Sequence, residues 1–269
     1  MGVSIVVLSG KGGCAKSLWQ LTMAGEASRA GLRTLIIDID PERNMSTRFG
    51  ISQHSTGVGN AFDDAGVLSG GEVNIAAGAE RLASEVAPTE WENVALIPAG
   101  ARLGAIGQVA IDNTWLLRDL LETSVLQDMY DVIFFDTAGR TGSLVTQAMY
   151  AADVAYAPIT PTLDAVRKAM EAKTRVERIQ RAHKLRWAGV VLTAFDRRVG
   201  IDDAIRMEAC RQFGNEVRAE VPRRATVHEA FQLCERLGDR TDVASLGLAE
   251  EFQRFLFDHL LQRSKVATP

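Results

Sequence analysis

Short apolar runs rich in β-branched residues recur along the chain, and most are followed by a stretch with helical spacing. Val3–Leu8, Arg33–Asp40, Val94–Pro98, Asp131–Asp136, Val154–Ile159, Trp187–Ala194 and Val217–Val221 read as strands. In the first four, apolar residues stand on both faces and charge appears only at the ends, as expected of strands covered on both sides. Helices are expected over Leu18–Ala30, Thr114–Gln127, Ser143–Ala152, Ala165–Ala182, Asp202–Phe213, Val227–Leu237 and Ala249–Gln262. Residues 51–90 are rich in Gly, Ser and Ala and read as short helices joined by turns. The alternation predicts an α/β fold: a mostly parallel, twisted sheet of about seven strands with helices on both faces. With no linker or repeat in sight, a single domain over residues 1–269 is expected.

Composition narrows the class without changing it. Apolar residues make up 46% and charged residues 24% of 269, ordinary values for a globular protein. No apolar run reaches the roughly 20 residues that span a bilayer. The chain opens directly into a strand, without the n- and h-regions of a secretion signal. Its three cysteines, Cys14, Cys210 and Cys234, form no metal-binding pair. Both features lead to an expected cytoplasmic location.

The first strand runs into Ser9-Gly10-Lys11-Gly12-Gly13-Cys14-Ala15-Lys16-Ser17, and a helix follows. A glycine loop between a strand and a helix N-terminus is a phosphate cradle: backbone N–H groups converge there and the helix dipole adds positive potential. The spacing is near the P-loop form, with Gly10 as first glycine, Lys16 as phosphate lysine and Ser17 as magnesium hydroxyl. Ala15 stands where a glycine is expected, and an alanine is comfortable there only if its φ is negative. Carboxylates suited to such a site close two strands. Asp136 ends the run Val132–Phe135, and Asp38 and Asp40 end the second strand. In open α/β sheets the ligand lies beyond these carboxyl ends.

The loop resembles the deviant Walker A motif, KGGxxK[ST], of the ParA/MinD family of P-loop ATPases. Asp38-Ile-Asp40-Pro41-Glu42-Arg43-Asn44 resembles that family's switch I, and softer likenesses run to about residue 235. The resemblance implies ATP and Mg²⁺ as cofactors. Gly10, Lys11, Gly12, Gly13, Cys14, Ala15, Lys16 and Ser17 would cradle the phosphates, and Pro222 would lie beside the base. Ser17, Asp38 and Asp136 would serve the metal. Lys11 would reach across a homodimer interface to the partner's nucleotide, Lys16 would hold the phosphates, and Asp40 would orient the attacking water. Guanine-reading relatives need a lysine where Ala194 stands, so ATP is favoured over GTP. Redox relatives such as the nitrogenase iron protein hold a shared iron–sulfur cluster with two cysteines around the Walker B region, and they are disfavoured here, since no cysteine lies between Cys14 and Cys210. Leu18, Glu42 and the Asp136-Thr137-Ala138-Gly139-Arg140 segment depart from the family pattern and predict slow hydrolysis.

Charge is divided unevenly. Residues 1–160 carry −8 and residues 161–269 carry +4, within a total of −4. Such asymmetry points to a polyanion-binding face. The family binds DNA non-specifically through its C-terminal half, and Arg197, Arg211, Arg218, Arg223 and Arg224 are candidates for that contact here, with nucleoid association implied. A centromere-binding or cargo adaptor protein is the implied partner. The apolar stripe Phe252, Phe255, Leu256, Leu260 and Leu261 raises a MinD-type membrane helix as the alternative, but a helix closing the core is preferred and no stable membrane insertion is expected. A weakly hydrolysing, nucleotide-dependent regulator is the other alternative.

Overall fold

The structure, a computed structural model, describes residues 2–9, 15–52, 55–70, 72–139 and 142–262. Eight strands form one sheet: β1 (Val3–Val7), β2 (Thr34–Ile39), β3 (Ala87–Pro88), β4 (Val94–Ile97), β5 (Val132–Thr137), β6 (Val154–Ile159), β7 (Arg186–Phe195) and β8 (Val217–Pro222). Their order across the sheet is β3-β4-β2-β5-β1-β6-β7-β8. All neighbours pair in parallel except β3 with β4. The seven expected strands are present, and the count is corrected by one. The eighth, β3, is a two-residue antiparallel edge strand within the stretch read as helices and turns. Its length falls below any detectable alternation, and Pro88 has no N–H to give a second neighbour, which suits an edge.

β1 is central because its side chains are apolar on both faces. Val6 joins a core with Leu35, Ile37, Ile133 and Phe135 beneath one helical layer. Ile5 and Val7 join Ile36, Val132 and Phe134 beneath the other. The chain builds outward from β1 to β2 and β4, returns to β5, then crosses to β6 on the opposite side. The order therefore switches direction at β1, and the crevice beyond its C-terminal end is where such sheets bind ligands.

The helix Lys16–Arg29 leaves that crevice and packs against the sheet. Gln20 Nε2 donates to the carbonyl of Phe135 at 2.7 Å, fastening the helix to β5. Trp19, fully buried, lies 4.5 Å from the Phe252 ring and 5.7 Å from Phe255, centroid to centroid. Phe252 and Phe255 belong to the helix Val243–Phe255, which continues as a wider π-type helix through Leu261. Leu256, Leu260 and Leu261 are also buried there. The C-terminal stripe thus closes the core over the first helix. None of the helices described is long and apolar enough to cross a membrane.

Phe252→Ala is expected to cost about 3–5 kcal/mol, because it empties the space beneath Trp19. Urea unfolding checks this. A stripe free to enter lipid would instead leave the midpoint unchanged.

Candidate active site

Lys16 and Ser17 open the first helix just beyond β1, and Lys16 is only 7% exposed. Ser17 Oγ donates to Asp136 Oδ2 at 2.8 Å. The other oxygen of Asp136, Oδ1, is buried and has no hydrogen-bond partner among the described residues. Asp38 and Asp136 occupy paired positions on β2 and β5. Both are sealed from water. Burial pushes each carboxyl above the usual carboxylate range, and their mutual repulsion raises Asp136 further.

Asp38 is engaged by its own loop. Its Oδ2 accepts from Ser46 N at 2.7 Å and Ser46 Oγ at 2.6 Å, and its Oδ1 accepts from Asp40 N at 3.1 Å. Ser46 Oγ in turn accepts from the Ala99 N–H beyond β4. Asp38 therefore folds the segment after β2 back over the sheet and holds Asp40 in place. Asp40 accepts from Glu42 N at 2.9 Å and lies 3.4 Å from Asn44 Nδ2. Lys16, Ser17 and Asp40 share a cleft of about 420 Å³. Asp40 also borders a second cleft of about 640 Å³ that runs past Gly107, Gly139 and Ser143.

The donor set suits a hard divalent cation. A serine hydroxyl and a carboxylate meet, with one carboxylate oxygen unpartnered, and such ions take oxygen ligands. Ser17 and Asp136 fit that group directly. In this conformation both oxygens of Asp38 are taken by backbone and serine donors. Gly10, Lys11, Gly12, Gly13 and Cys14 lie outside the described residues, as does Arg140.

Three side chains of the cleft escaped the reading of the sequence: Arg48, His228 and Phe231. The last two stand on the helix Ala225–Leu233. The Arg48 guanidinium stacks 3.6 Å over the Phe231 ring and donates to the Phe231 carbonyl at 2.9 Å. No motif marks this contact; it joins residues 183 apart in the sequence. Pro222 borders a different cleft of about 440 Å³, with Phe195, Asp196, Arg223 and Arg224, at the ends of β7 and β8.

The basic candidates differ in how free they are. Arg197 makes a double contact with Glu220 at 3.0 and 2.8 Å, and Arg211 one with Glu208 at 2.8 and 2.6 Å. Arg218 donates to the Ala188 carbonyl, and Arg223 to that of Ala194. Arg224 is exposed and has no partner among the described residues.

A helix N-terminal lysine and serine, with buried carboxylates at the ends of neighbouring parallel strands, define a P-loop nucleoside-triphosphatase fold. A family model described as an AAA domain matches residues 2–186, and the chain belongs to that family, as a ParA-type ATPase of the ParA/MinD group. It is 27% identical over 233 residues to the chromosome partitioning protein ParA of Caulobacter vibrioides, covering 84% of this chain and 82% of that protein. A plasmid partition protein of Borrelia burgdorferi bound to AMPPNP superposes with a TM-score of 0.75 at 17% identity, covering 96% of this chain and 99% of that one. MinD of Pyrococcus horikoshii, a septum site-determining protein complexed with Mg-ADP, superposes with a TM-score of 0.72 at 18% identity and 96% coverage of both chains.

Ala15 adopts the left-handed conformation, φ 60° and ψ 22°, immediately before the first helix. The negative φ that would suit an alanine is not what the loop uses. A Cβ in this region costs roughly 1–2 kcal/mol per residue. Ala15→Gly is therefore expected to raise stability by about 1 kcal/mol, read as an increase in thermal midpoint. A lower midpoint would show that the alanine is unstrained.

Proposed function

We propose that this chain is a Mg²⁺-dependent ATPase that partitions DNA. The observation that carries the reading is the grouping of Lys16, Ser17, Asp136 and Asp40 at the switch point of the sheet. Lys16 and the helix N-terminus would hold the phosphates. Ser17 and Asp136 would hold Mg²⁺, which when bound would neutralise charge on the phosphoryl oxygens. Asp40, fixed through the Glu42 N–H and the Asp38–Ser46 clasp, would accept a hydrogen bond from the attacking water and aim it. Asn44, 3.4 Å from Asp40, would help hold that carboxylate. No strong base is needed, because positioning and charge stabilisation supply most of the catalysis. Lys11 would cross to the partner's nucleotide, so that ATP closes a homodimer. The dimer would bind DNA without sequence preference, associate with the nucleoid, and be released when an adaptor protein stimulates hydrolysis.

The relatives' names support partition, and the bound nucleotides of similar folds support ATP and Mg²⁺. The burial of the C-terminal stripe speaks against the membrane-associated alternative. Leu18 and the strained Ala15 favour low turnover, which keeps a nucleotide-dependent regulator as the second reading.

Lys16→Ala is expected to abolish ATP binding. Asp40→Ala should keep binding while turnover falls by about 10²-fold. Lys11→Ala should lose ATP-dependent dimers, measured by light scattering, and with them tight DNA binding. DNA binding indifferent to nucleotide and to Lys11 would overturn the partition reading.

A further inference from the structure

The charge split of the sequence becomes informative once each cation's partner is known. Most arginines of the C-terminal half are spent within the fold. Besides those described above, Arg198 pairs with Asp196, Arg206 with Asp203, Arg236 with Asp239 and Arg254 with Glu251. Arg186 donates to the carbonyls of His259 and Leu260. Five cations stand apart: the exposed Arg224 described above, and a group of four. Among the described residues, Arg175, Arg178, Arg181 and Lys184 make no ion pair or hydrogen bond. They fall in one ten-residue stretch, at the end of the helix Leu163–Ile179 and the turn after it. Arg178, Arg181 and Lys184 are exposed, whereas Arg175 is half-buried.

Helical spacing explains the grouping. Arg175 and Arg178 are three residues apart, so they share a face. The opposite side is the core stripe Ala165, Val166, Ala169, Ala172 and Val176. The N-terminal half of the same helix is neutralised: Arg167 pairs with Asp164 and Glu171, Lys168 with Glu171. Glu177 is the one acidic residue between Lys173 and Arg186. Burial depresses Arg175's basicity, and repulsion from Arg178 adds to it. A folded protein that holds repelling cations together, one of them half-desolvated, gains when a polyanion settles on them.

We infer that Arg175, Arg178, Arg181 and Lys184 form a docking face for the phosphate backbone of duplex DNA, at the opposite edge of the sheet from the nucleotide cleft. This rests on the partition reading and names its surface. The topology fixes the location. The helix starts just after β6 ends and runs back to where β7 begins, and Val154 and Arg186 are paired across β6 and β7. Its 17 residues span about 25 Å. The face is thus remote from Lys16 and needs no nucleotide to form. ATP would act by valence: a closed dimer carries two such faces, and linked contacts raise overall affinity by about 10²–10⁴. DNA suits the face better than an anionic membrane, because no exposed large apolar side chain occurs between Met170 and Val199 to enter lipid.

The test compares the full chain with a fourfold glutamine variant (Arg175→Gln, Arg178→Gln, Arg181→Gln, Lys184→Gln) and a double variant of the exposed turn (Arg181→Glu, Lys184→Glu). Binding to a random-sequence 40-bp duplex is titrated against salt, with ADP and with ATP. In ADP the log–log salt slope of the fourfold variant should fall by about 3.6 relative to the parent, since each of the four phosphate contacts contributes about 0.9. In ATP its affinity should drop at least about tenfold. ATP turnover without DNA should stay at the parent value for both variants, and the double variant, which touches no core residue, should show about half the loss of slope. Unchanged slopes in both variants, with a loss in Arg223→Ala/Arg224→Ala, would move the DNA face to the nucleotide edge and overturn the inference while partition stands. Loss of binding to phosphatidylglycerol vesicles, with DNA binding intact, would make the face a membrane contact and overturn it as well. A parent chain that binds no DNA in ATP fails the partition reading itself.

Discussion

Two carboxylates sealed from water at paired positions on adjacent strands set the terms for the rest of this structure. Asp38 and Asp136 sit side by side at the ends of β2 and β5, where burial and mutual repulsion both disfavour ionisation. Apolar residues of similar size would make a more stable sheet, since removing charge from water costs several kcal/mol per ion. Everything near them offsets part of that cost. Ser46 and the Asp40 N–H satisfy Asp38, Ser17 satisfies one oxygen of Asp136, and Lys16 supplies positive charge from the helix N-terminus. What stays uncompensated is Asp136 Oδ1. A site with one buried oxygen left over, beside a hydroxyl and a lysine, is arranged for an added cation and an added anion together.

The backbone carries a second burden at the same edge. Ala15 after β1, Arg43 after β2 and Ala194 within β7 all have φ near 60° without being glycine. Residues held in sparsely populated regions cost roughly 1–3 kcal/mol each and persist where the surroundings dictate them. Here the surroundings are explicit. Ala15 must turn the chain into the first helix, and its carbonyl accepts from Trp19 N. Arg43 must reverse the chain so that Ser46 reaches Asp38. The Ala194 carbonyl accepts from Arg223, tying the end of β7 to the segment after β8. Three of the positive-φ residues therefore share an edge with the buried carboxylates, while apolar cores pack both faces of the sheet behind them.

Much of this was legible in the chain because the strongest signals were local. A β-branched run followed closely by a helical stretch states its own geometry, and charge at the ends of otherwise apolar strands marks the edge where the buried carboxylates gather. β3 was illegible because two residues carry no period. Arg48 and Phe231 were illegible for a different reason: their stack joins distant segments, and each alone resembles a surface arginine and a core aromatic. Ala15 shows a third kind of limit. The substitution was visible, but whether it strained the loop depended on a dihedral angle that no residue type specifies.

Charge was the least legible property, since net charge counts cations while a binding face needs unpaired ones. Arg197 and Arg211 stand in the positive half of the chain, yet each is held by a glutamate in a double contact, and breaking such a pair to meet a phosphate exchanges one charge-assisted contact for another. Arg175 and its three neighbours have no such contact to give up, so a phosphate placed there is nearly all gain. The location then shapes the regulation. A face that sits about 25 Å of helix away from the nucleotide has no direct way to sense a γ-phosphate. Under the proposed function, nucleotide control would have to pass through something that changes the number of faces in one particle, and dimer closure at the opposite edge would do so without moving a single residue of the face itself.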